Sequence, residues 1–148
     1  SQAVEENVEF DEIADRLGSM VTDVGSLAGR VRVRRDGSFG VLPSESATAL
    51  AMVLTEVLQN AVEHGYVAED PETSGTITVT IRRLVGRLHV TVDDDGRGLP
   101  PDFDLEGSTN LGLSIVRTLV ESELGGLLAL GAVPEGAGTR AEIDLPVE

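Results

Sequence analysis

The spacing of apolar residues along the chain predicts three helices. Apolar side chains recur every three or four positions over residues 10–27, 44–64 and 111–124, which is the period of an amphipathic helix. We expect the second helix to end at Gly65, because a glycine at a helix C-terminus can adopt the left-handed conformation. The three segments are long enough to form the helical layer of one domain.

Shorter segments in which apolar and polar residues alternate predict six strands in three antiparallel hairpins. Each pair flanks a glycine-containing turn, at Asp36-Gly37, at Gly86 and at residues 136–138. Because pairs of strands alternate with helices, we predict an α+β two-layer sandwich, with a mixed β-sheet and helices packed on one face. The strand pairs are residues 31–34 with 39–42, 77–81 with 88–92, and 128–130 with 141–145.

Composition narrows the classes of function. The 148 residues include 11 Lys and Arg against 26 Asp and Glu, a formal net charge of −15 that argues against nucleic-acid or anionic-membrane partners. Cysteine is absent, which excludes disulfides, cysteine-ligated zinc and thiol catalysis. The apolar runs are too short to span a bilayer and no signal peptide is evident, so we expect a cytoplasmic protein. The chain does not begin with Met, and we expect it to be part of a longer protein.

The second predicted helix carries three polar residues one turn apart, Glu56, Asn60 and His64. Residues four apart lie one above the other, so we expect them on one face. An asparagine amide oxygen is a hard ligand suited to Mg²⁺, and a neighbouring carboxylate can polarise an attacking group. Without a ligand, the same residues are a solvated glutamate, an asparagine bonded to nearby backbone and a histidine capping the helix end.

An acidic segment follows the predicted strand of residues 88–92. It places three carboxylates, including Asp94, at a strand end beside Gly96 and Gly98, which permit a ligand to approach the backbone closely. An aspartate held in a pocket there can accept a hydrogen bond from an adenine amino group. The alternatives are an ordinary Asp-Gly turn or an acidic loop of the calcium-binding kind.

The third predicted helix begins at a good N-cap residue, Asn110. The backbone N–H groups of Leu111, Gly112 and Leu113 then lie at the positive end of the helix dipole, where phosphates bind. Thr139 follows a glycine-rich turn and can line a pocket for a base, although a plain hairpin turn is the simpler interpretation. For the helix start, the alternative is ordinary capping.

As an ordered set, these segments resemble the ATP-binding catalytic domain of two-component histidine kinases, in the family that also contains DNA gyrase B, Hsp90 and MutL. Residues 56–61 are similar to the N box, 94–98 to the G1 box, 111–116 to the G2 box and 136–139 to the last glycine motif. Residues 60–65 are similar to the HWE-type kinases. The resemblance implies a Bergerat ATP-binding fold.

The resemblance also implies a role for each site residue. Glu56 would be the general base that activates a phospho-accepting histidine, and Asn60 would hold Mg²⁺. Asp94 would bind the adenine amino group, and residues 99–110 would form a lid. The remaining residues implied to contact ATP are His64, Gly96 and Gly98, Asn110, Leu111, Gly112, Leu113 and Thr139.

Neither His64 nor His89 has the sequence context of a phospho-accepting histidine, so the resemblance implies an acceptor on an upstream domain. We expect residues 1–9 to be the tail of that dimerisation and phosphotransfer domain, and residues 10–148 to be the catalytic domain. The resemblance further implies that the full-length protein acts as a homodimer and passes the phosphoryl group to an aspartate of a response regulator.

Two other functions use the same motifs. One is an anti-sigma-factor serine kinase, which would act on a separate protein. The other is a regulatory module that binds nucleotide without catalysis. Replacing Glu56 separates these, because a kinase variant would keep ATP binding and lose phosphoryl transfer.

Overall fold

A five-stranded β-sheet forms one layer of the structure, a computed structural model that describes residues 6–99 and 111–147. A π-helical turn, Leu119–Glu123, continues the last α-helix. The elements in chain order are β1 (Asn7–Glu9), α1 (Phe10–Thr22), β2 (Val31–Asp36), β3 (Val41–Pro43), α2 (Ser44–Gly65), β4 (Gly75–Leu84), β5 (Arg87–Asp94), α3 (Leu111–Thr118), β6 (Leu127–Ala132) and β7 (Thr139–Pro146).

The strand order across the main sheet is β2-β4-β5-β7-β6. Strand β2 runs parallel to β4, with Val33 opposite Ile77, and the other three pairings are antiparallel. The predicted mixed sheet is therefore confirmed, as are the hairpins β4–β5 and β6–β7. A second, two-stranded sheet pairs β1 with β3 and was not predicted.

The helices pack on one face of the sheet, as predicted, and the core lies between the two layers. Alternate residues of β4, β5 and β7 are buried, because side chains along a strand point to opposite faces. The buried residues of α2 recur at helical spacing and pack against these strand residues. The fully buried aliphatic side chains include Leu50, Val53, Leu54, Leu58, Ile77, Leu88, Val90 and Ile143.

The predicted hairpin at Asp36-Gly37 is wrong. Strand β2 pairs in parallel with β4, and β3 pairs with β1. The intervening loop enters the core instead: the Phe39 ring is fully buried edge-on against Phe10, with centroids 4.8 Å apart. Its backbone N–H donates to the Asp11 carboxylate at 2.7 Å, so the start of α1 fixes the loop.

The first two helices begin where predicted, at Phe10 and Ser44, and differ from the prediction only at their C-terminal ends. Helix α1 ends at Thr22, not at residue 27, and the chain then turns through Gly25, which has a φ of 84°. Gly65 is the last residue of α2 and is not left-handed; Tyr66, the C-cap, is extended. A Cβ atom at Gly65 would lie 3.4 Å from the Asp94 carboxyl carbon, an ordinary contact distance, so the end of α2 packs directly against the end of β5.

Among residues 6–99 and 111–147, no helix combines the length and the apolar character needed to cross a lipid bilayer. The longest, α2, has 22 residues, and its outward face carries polar side chains.

Candidate functional site

A cleft of about 610 Å³ lies between the C-terminal half of α2 and the ends of β5 and β7. Its wall combines aliphatic side chains with a few polar groups, as binding pockets for small molecules generally do. The residues that line it are Val57, Asn60, Ala61, His64, Gly65, Val92, Asp94, Arg97, Gly98, Leu99, Leu113, Leu130, Thr139 and Ala141.

Helix α2 carries Glu56, Asn60 and His64 on one face, because they are four residues apart. The Asn60 side-chain N–H donates to the main-chain oxygen of Glu56 at 2.9 Å and to its carboxylate Oε2 at 2.6 Å. The amide nitrogen therefore faces Glu56, and the amide oxygen points away from that carboxylate. Asn60 and His64 line the cleft, whereas Glu56 does not and lies against Gly112.

Asp94 ends strand β5 and is 6% exposed. Its Oδ1 atom accepts hydrogen bonds from the backbone N–H groups of Gly96 at 2.9 Å and Thr139 at 3.2 Å. Burial raises the pKa of Asp94 above its usual value, and the charges of Asp95 and Asp93 act in the same direction. The two backbone hydrogen bonds act against this rise.

Close backbone contacts set the position of Asp94. A Cβ atom at Gly96 would overlap the carbonyl oxygen of Gly65, and one at Gly138 would overlap the carbonyl oxygen of Asp94. Gly98 has a φ of 79°, which a residue with a side chain rarely adopts. The glycines predicted to permit close approach therefore pack protein backbone against backbone, and Gly98 also lines the cleft.

The start of α3 lies beside α2. Leu113 lines the cleft, and a Cβ atom at Gly112 would overlap the Glu56 carboxylate. Leu111, the first residue of the helix, is 72% exposed. The predicted cap at Asn110 and residues 100–110 of the predicted lid lie outside the described residues.

Two residues at the site were missed in the sequence. The Arg97 guanidinium donates to the main-chain oxygen of His64 at 2.7 Å, and its backbone N–H donates to that of Gly65 at 2.8 Å. Tyr66 donates its hydroxyl hydrogen to the Asp95 carboxylate at 2.5 Å. The position of Arg97 between Gly96 and Gly98 was the available signal, whereas nothing local marked Tyr66.

Within the described residues, no group of three or more His, Asp or Glu side chains could hold a metal ion. A divalent ion in this cleft would therefore depend on single protein ligands, of which the Asn60 amide is the candidate, together with oxygen atoms of a bound ligand or water.

The family described as histidine kinase-, DNA gyrase B-, and HSP90-like ATPase matches residues 45–148, which include the cleft and every predicted site residue. The chain belongs to this family. The resemblance noted in the sequence is thus confirmed, and so is the assignment of the cleft region to an ATP-binding domain.

Individual proteins that are similar to the chain belong to one class within this family, the sensor histidine kinases. The chain is 45% identical over 147 residues to the sensor histidine kinase PdtaS of Mycolicibacterium smegmatis, and the match covers 99% of this chain and 29% of that protein. PdtaS of Mycobacterium tuberculosis is also 45% identical, over 148 residues, with the same shares covered. The chain therefore spans less than a third of the length of these relatives.

Solved structures confirm the fold. The histidine kinase domain of a blue-light-activated histidine kinase from Erythrobacter litoralis superposes with a TM-score of 0.80 and 30% identity, over 99% of this chain and 65% of that one. The catalytic domain of the histidine kinase ThkA superposes with a TM-score of 0.74 over 98% of both chains. At 19% identity, the second comparison supports the fold alone.

Proposed function

We propose that this chain transfers the γ-phosphoryl group of Mg-ATP to a histidine side chain on an upstream domain of the same protein. The observation that carries the proposal is the convergence of three segments on one cleft. Asn60 on α2, Asp94 at the end of β5 and Leu113 in the first turn of α3 line the cleft. Glu56, one turn before Asn60, lies against Gly112. The similarity to sensor histidine kinases supports histidine as the acceptor.

Asp94 is the residue we propose to recognise the adenine ring. Both backbone hydrogen bonds that its carboxylate accepts are made to Oδ1. The structure gives Oδ2 no hydrogen bond within the described residues, and it can accept one from the 6-amino group. Gly98 and Thr139 line the cleft and would flank the ring. Gly96 binds Oδ1 of Asp94 through its backbone N–H and so fixes the turn behind it.

The start of α3 is the proposed phosphate site. Backbone N–H groups in the first turn of a helix lie at the positive end of its dipole, where phosphates bind. The first turn of α3 contains Leu111, Gly112 and Leu113, with Asn110 proposed as the cap. Gly112 lies against Glu56, so phosphates bound here would be held next to the proposed general base.

The residues present fit a magnesium ion. Mg²⁺ retains several water molecules and binds ATP phosphates, so it needs few protein ligands. The Asn60 amide oxygen, directed away from Glu56, supplies one, and His64 lies one turn further along the same wall. When bound, the ion would neutralise charge on the phosphates during transfer.

In the proposed reaction, an imidazole nitrogen of the acceptor histidine attacks the γ-phosphorus. A nitrogen–phosphorus bond forms, the bond between the γ-phosphorus and the bridging oxygen breaks, and ADP leaves. Glu56 accepts the proton that the imidazole loses. Asn60 donates a hydrogen bond to the Glu56 carboxylate at 2.6 Å and would hold it in place for this proton transfer.

Partners follow from this reaction as further proposals. The upstream domain would carry the acceptor histidine and form a homodimer, and residues 1–9 would connect to it. A response regulator would receive the phosphoryl group on an aspartate. We propose a cytoplasmic location, where ATP is supplied, and no nucleic-acid or membrane partner for this acidic domain.

The experiment that tests the proposal uses the full-length protein with γ-labelled ATP and compares Glu56→Ala with the parent. We expect an acid-labile, alkali-stable phosphohistidine on the upstream domain. Because general-base catalysis contributes about 10²–10⁴-fold, Glu56→Ala should lose label formation by about that factor. ATP affinity should stay within about twofold, since Glu56 does not line the base pocket.

Glu45→Ala, in the first turn of the same helix, is the matched control and should change neither ATP affinity nor transfer. Label recovered as phosphoserine on a separate protein would contradict the proposal and favour the anti-sigma-factor kinase. Tight ATP binding without any transfer from the full-length protein would favour a regulatory nucleotide-binding module instead.

A further inference from the structure

Asp93 and Asp94 end β5 and Asp95 directly follows it, and the three carboxylates have different partners. The carboxylate of Asp93 forms a two-pronged ion pair with Arg140, at 2.7 and 2.8 Å. Asp94 accepts only backbone N–H groups among its described partners. Asp95 accepts the hydroxyl hydrogen of Tyr66. Asp94 is thus held between two neighbours that are each fixed by a side chain on another element.

The contact between Tyr66 and Asp95 is reciprocal. The Tyr66 hydroxyl donates to Asp95 Oδ1 at 2.5 Å, and the Asp95 backbone N–H donates to the hydroxyl oxygen at 3.2 Å. The backbone N–H of Thr76 also donates to Oδ1, at 3.1 Å. Tyr66 is 6% exposed, and burial, followed by the bond to Asp95, raises its pKa. The hydroxyl therefore remains a donor at physiological pH.

Gly75 leaves the room that this contact needs. A Cβ atom at Gly75 would overlap the Tyr66 ring and lie 2.5 Å from Asp95 Oδ1. The first residue of β4 therefore has no side chain at the point where the ring and the carboxylate meet. The start of β4, the end of β5 and the residue after α2 are joined at one place.

This contact connects two parts of the nucleotide site. Tyr66 directly follows α2, which carries Asn60 and His64, and Asp95 directly follows Asp94. A hydrogen bond between them fixes the backbone of the turn after β5 relative to the end of α2. The direction of the Asp94 carboxylate depends on that backbone, because its Oδ1 is held by the N–H of Gly96 in the same turn.

We propose that Tyr66 is a positioning residue that, through Asp95, aims Asp94 at the 6-amino group of the bound purine and so sets the preference for adenine. The proposal rests on the role given to Asp94 under the proposed function. Tyr66 does not line the cleft, so it acts through Asp95 and Asp94 without touching the nucleotide. In binding sites of this kind, the side chain that contacts the ligand must itself be held by hydrogen bonds and packing from surrounding residues.

The test compares the affinities of the chain for ATP and for purine riboside triphosphate, which lacks the 6-amino group. In the parent, ATP should bind more tightly than the analogue. In Tyr66→Phe, we expect ATP affinity to fall about three- to tenfold, the range of one lost hydrogen bond. Affinity for the analogue should change less than about twofold, because it makes no bond to Asp94.

Two further substitutions separate positioning from stability. Thr22→Val removes another buried hydroxyl, which donates to the main-chain oxygen of Gly18 at 2.9 Å, and Thr22 does not line the cleft. It should lower the melting temperature without changing the ratio of the two affinities. Asp95→Ala should reduce the ratio as Tyr66→Phe does, whereas Asp95→Asn should keep it, because an amide oxygen accepts the same bonds.

An unchanged ratio in both Tyr66→Phe and Asp95→Ala would overturn the role of Tyr66 while leaving the proposed function intact. A parent chain that binds the two nucleotides equally would instead overturn the role of Asp94, and with it the inference. The two failures are therefore distinguishable by the parent measurement alone.

Discussion

At the scale of single residues, Asp94 illustrates how one carboxylate can serve both the fold and a ligand. Its Oδ1 binds the backbone of Gly96 and Thr139, which joins the ends of β5 and β7. Its other oxygen has no described partner and is the proposed acceptor for adenine. Asparagine keeps the first function and loses the second, because its NH₂ group would face the donor group of the base.

Asp94→Asn should therefore remain folded and bind ATP at least about 100-fold more weakly, the cost of opposing two donors in a buried site. Isothermal titration measures the affinity, and circular dichroism checks the fold. Asp144→Asn, at a half-exposed position that pairs with Arg87, is the matched control and should bind ATP normally. Unchanged ATP affinity in Asp94→Asn would show that Asp94 does not bind the adenine base.

The same variant should change how stability depends on pH. The folded-state pKa of Asp94 is raised, mainly by burial. A group of this kind favours the folded state below its unfolded pKa, about 3.9, and loses that contribution as the pH rises through its folded pKa. The free energy of unfolding of Asp94→Asn, relative to the parent, should therefore be higher at pH 7 than near pH 4. Urea unfolding at both values measures it, and a difference of opposite sign would show that Asp94 is stabilised as the ion.

At the scale of elements, the site depends on how closely the end of α2 approaches the turn after β5. The carbonyl oxygen of Gly65 occupies the space that a Cβ atom at Gly96 would need. Both sides of this contact are backbone, so neither can move aside by changing a rotamer. The two elements must separate if Gly96 gains a side chain.

Gly96→Ala should accordingly lower ATP affinity by about tenfold or more, since overpacking costs about 1–3 kcal/mol and displaces the turn that carries Asp94. Gly131→Ala in β6 is the matched control, because nothing lies within 4 Å of its added Cβ atom. Nucleotide titration of both variants provides the measurement. Equal ATP affinities in the two variants would mean that separating α2 from the turn after β5 does not disturb nucleotide binding.

The sequence pattern predicted most elements because their signals are local. Helical spacing identified α2 almost to the residue, and alternation with a glycine turn identified the β4–β5 and β6–β7 hairpins. The same signal failed at residues 31–43. Apolar and polar residues alternate along a half-buried strand whichever strand it pairs with. The partner of β2 is β4, more than 40 residues away. The burial of Phe39 and its bond to Asp11 decide the outcome, and neither is visible in a local pattern.

The residues of the candidate site likewise divide into those that a local pattern predicts and those that depend on distant contacts. Glu56, Asn60 and His64 were predicted together because helical spacing alone places them on one face. Tyr66 was not predicted, because its partner Asp95 is 29 residues away and the contact exists only once α2 packs against the sheet. Roles for the individual residues stay predictions until nucleotide binding is measured.

At the scale of the whole molecule, the sheet brings distant segments to one end. The residues that line the single cleft come from the segments 57–65, 92–99, 113–130 and 139–141, which span more than half of the chain. Glu56 and Gly112 lie against each other next to these segments. A second groove, of about 570 Å³, lies between α1 and α2 and includes Met20, Val24 and Val67. A nucleotide bound there would leave Asp94 and Thr139 without contact.

The most direct test is therefore to follow the amide N–H signals of the chain by nuclear magnetic resonance during titration with Mg-ATP. We expect the largest shifts at residues 60–65, 94–99, 111–113 and 138–140, saturating together at one affinity. Shifts confined to the groove between α1 and α2, or distributed between sites with separate affinities, would contradict a single ATP cleft and the kinase function proposed for it.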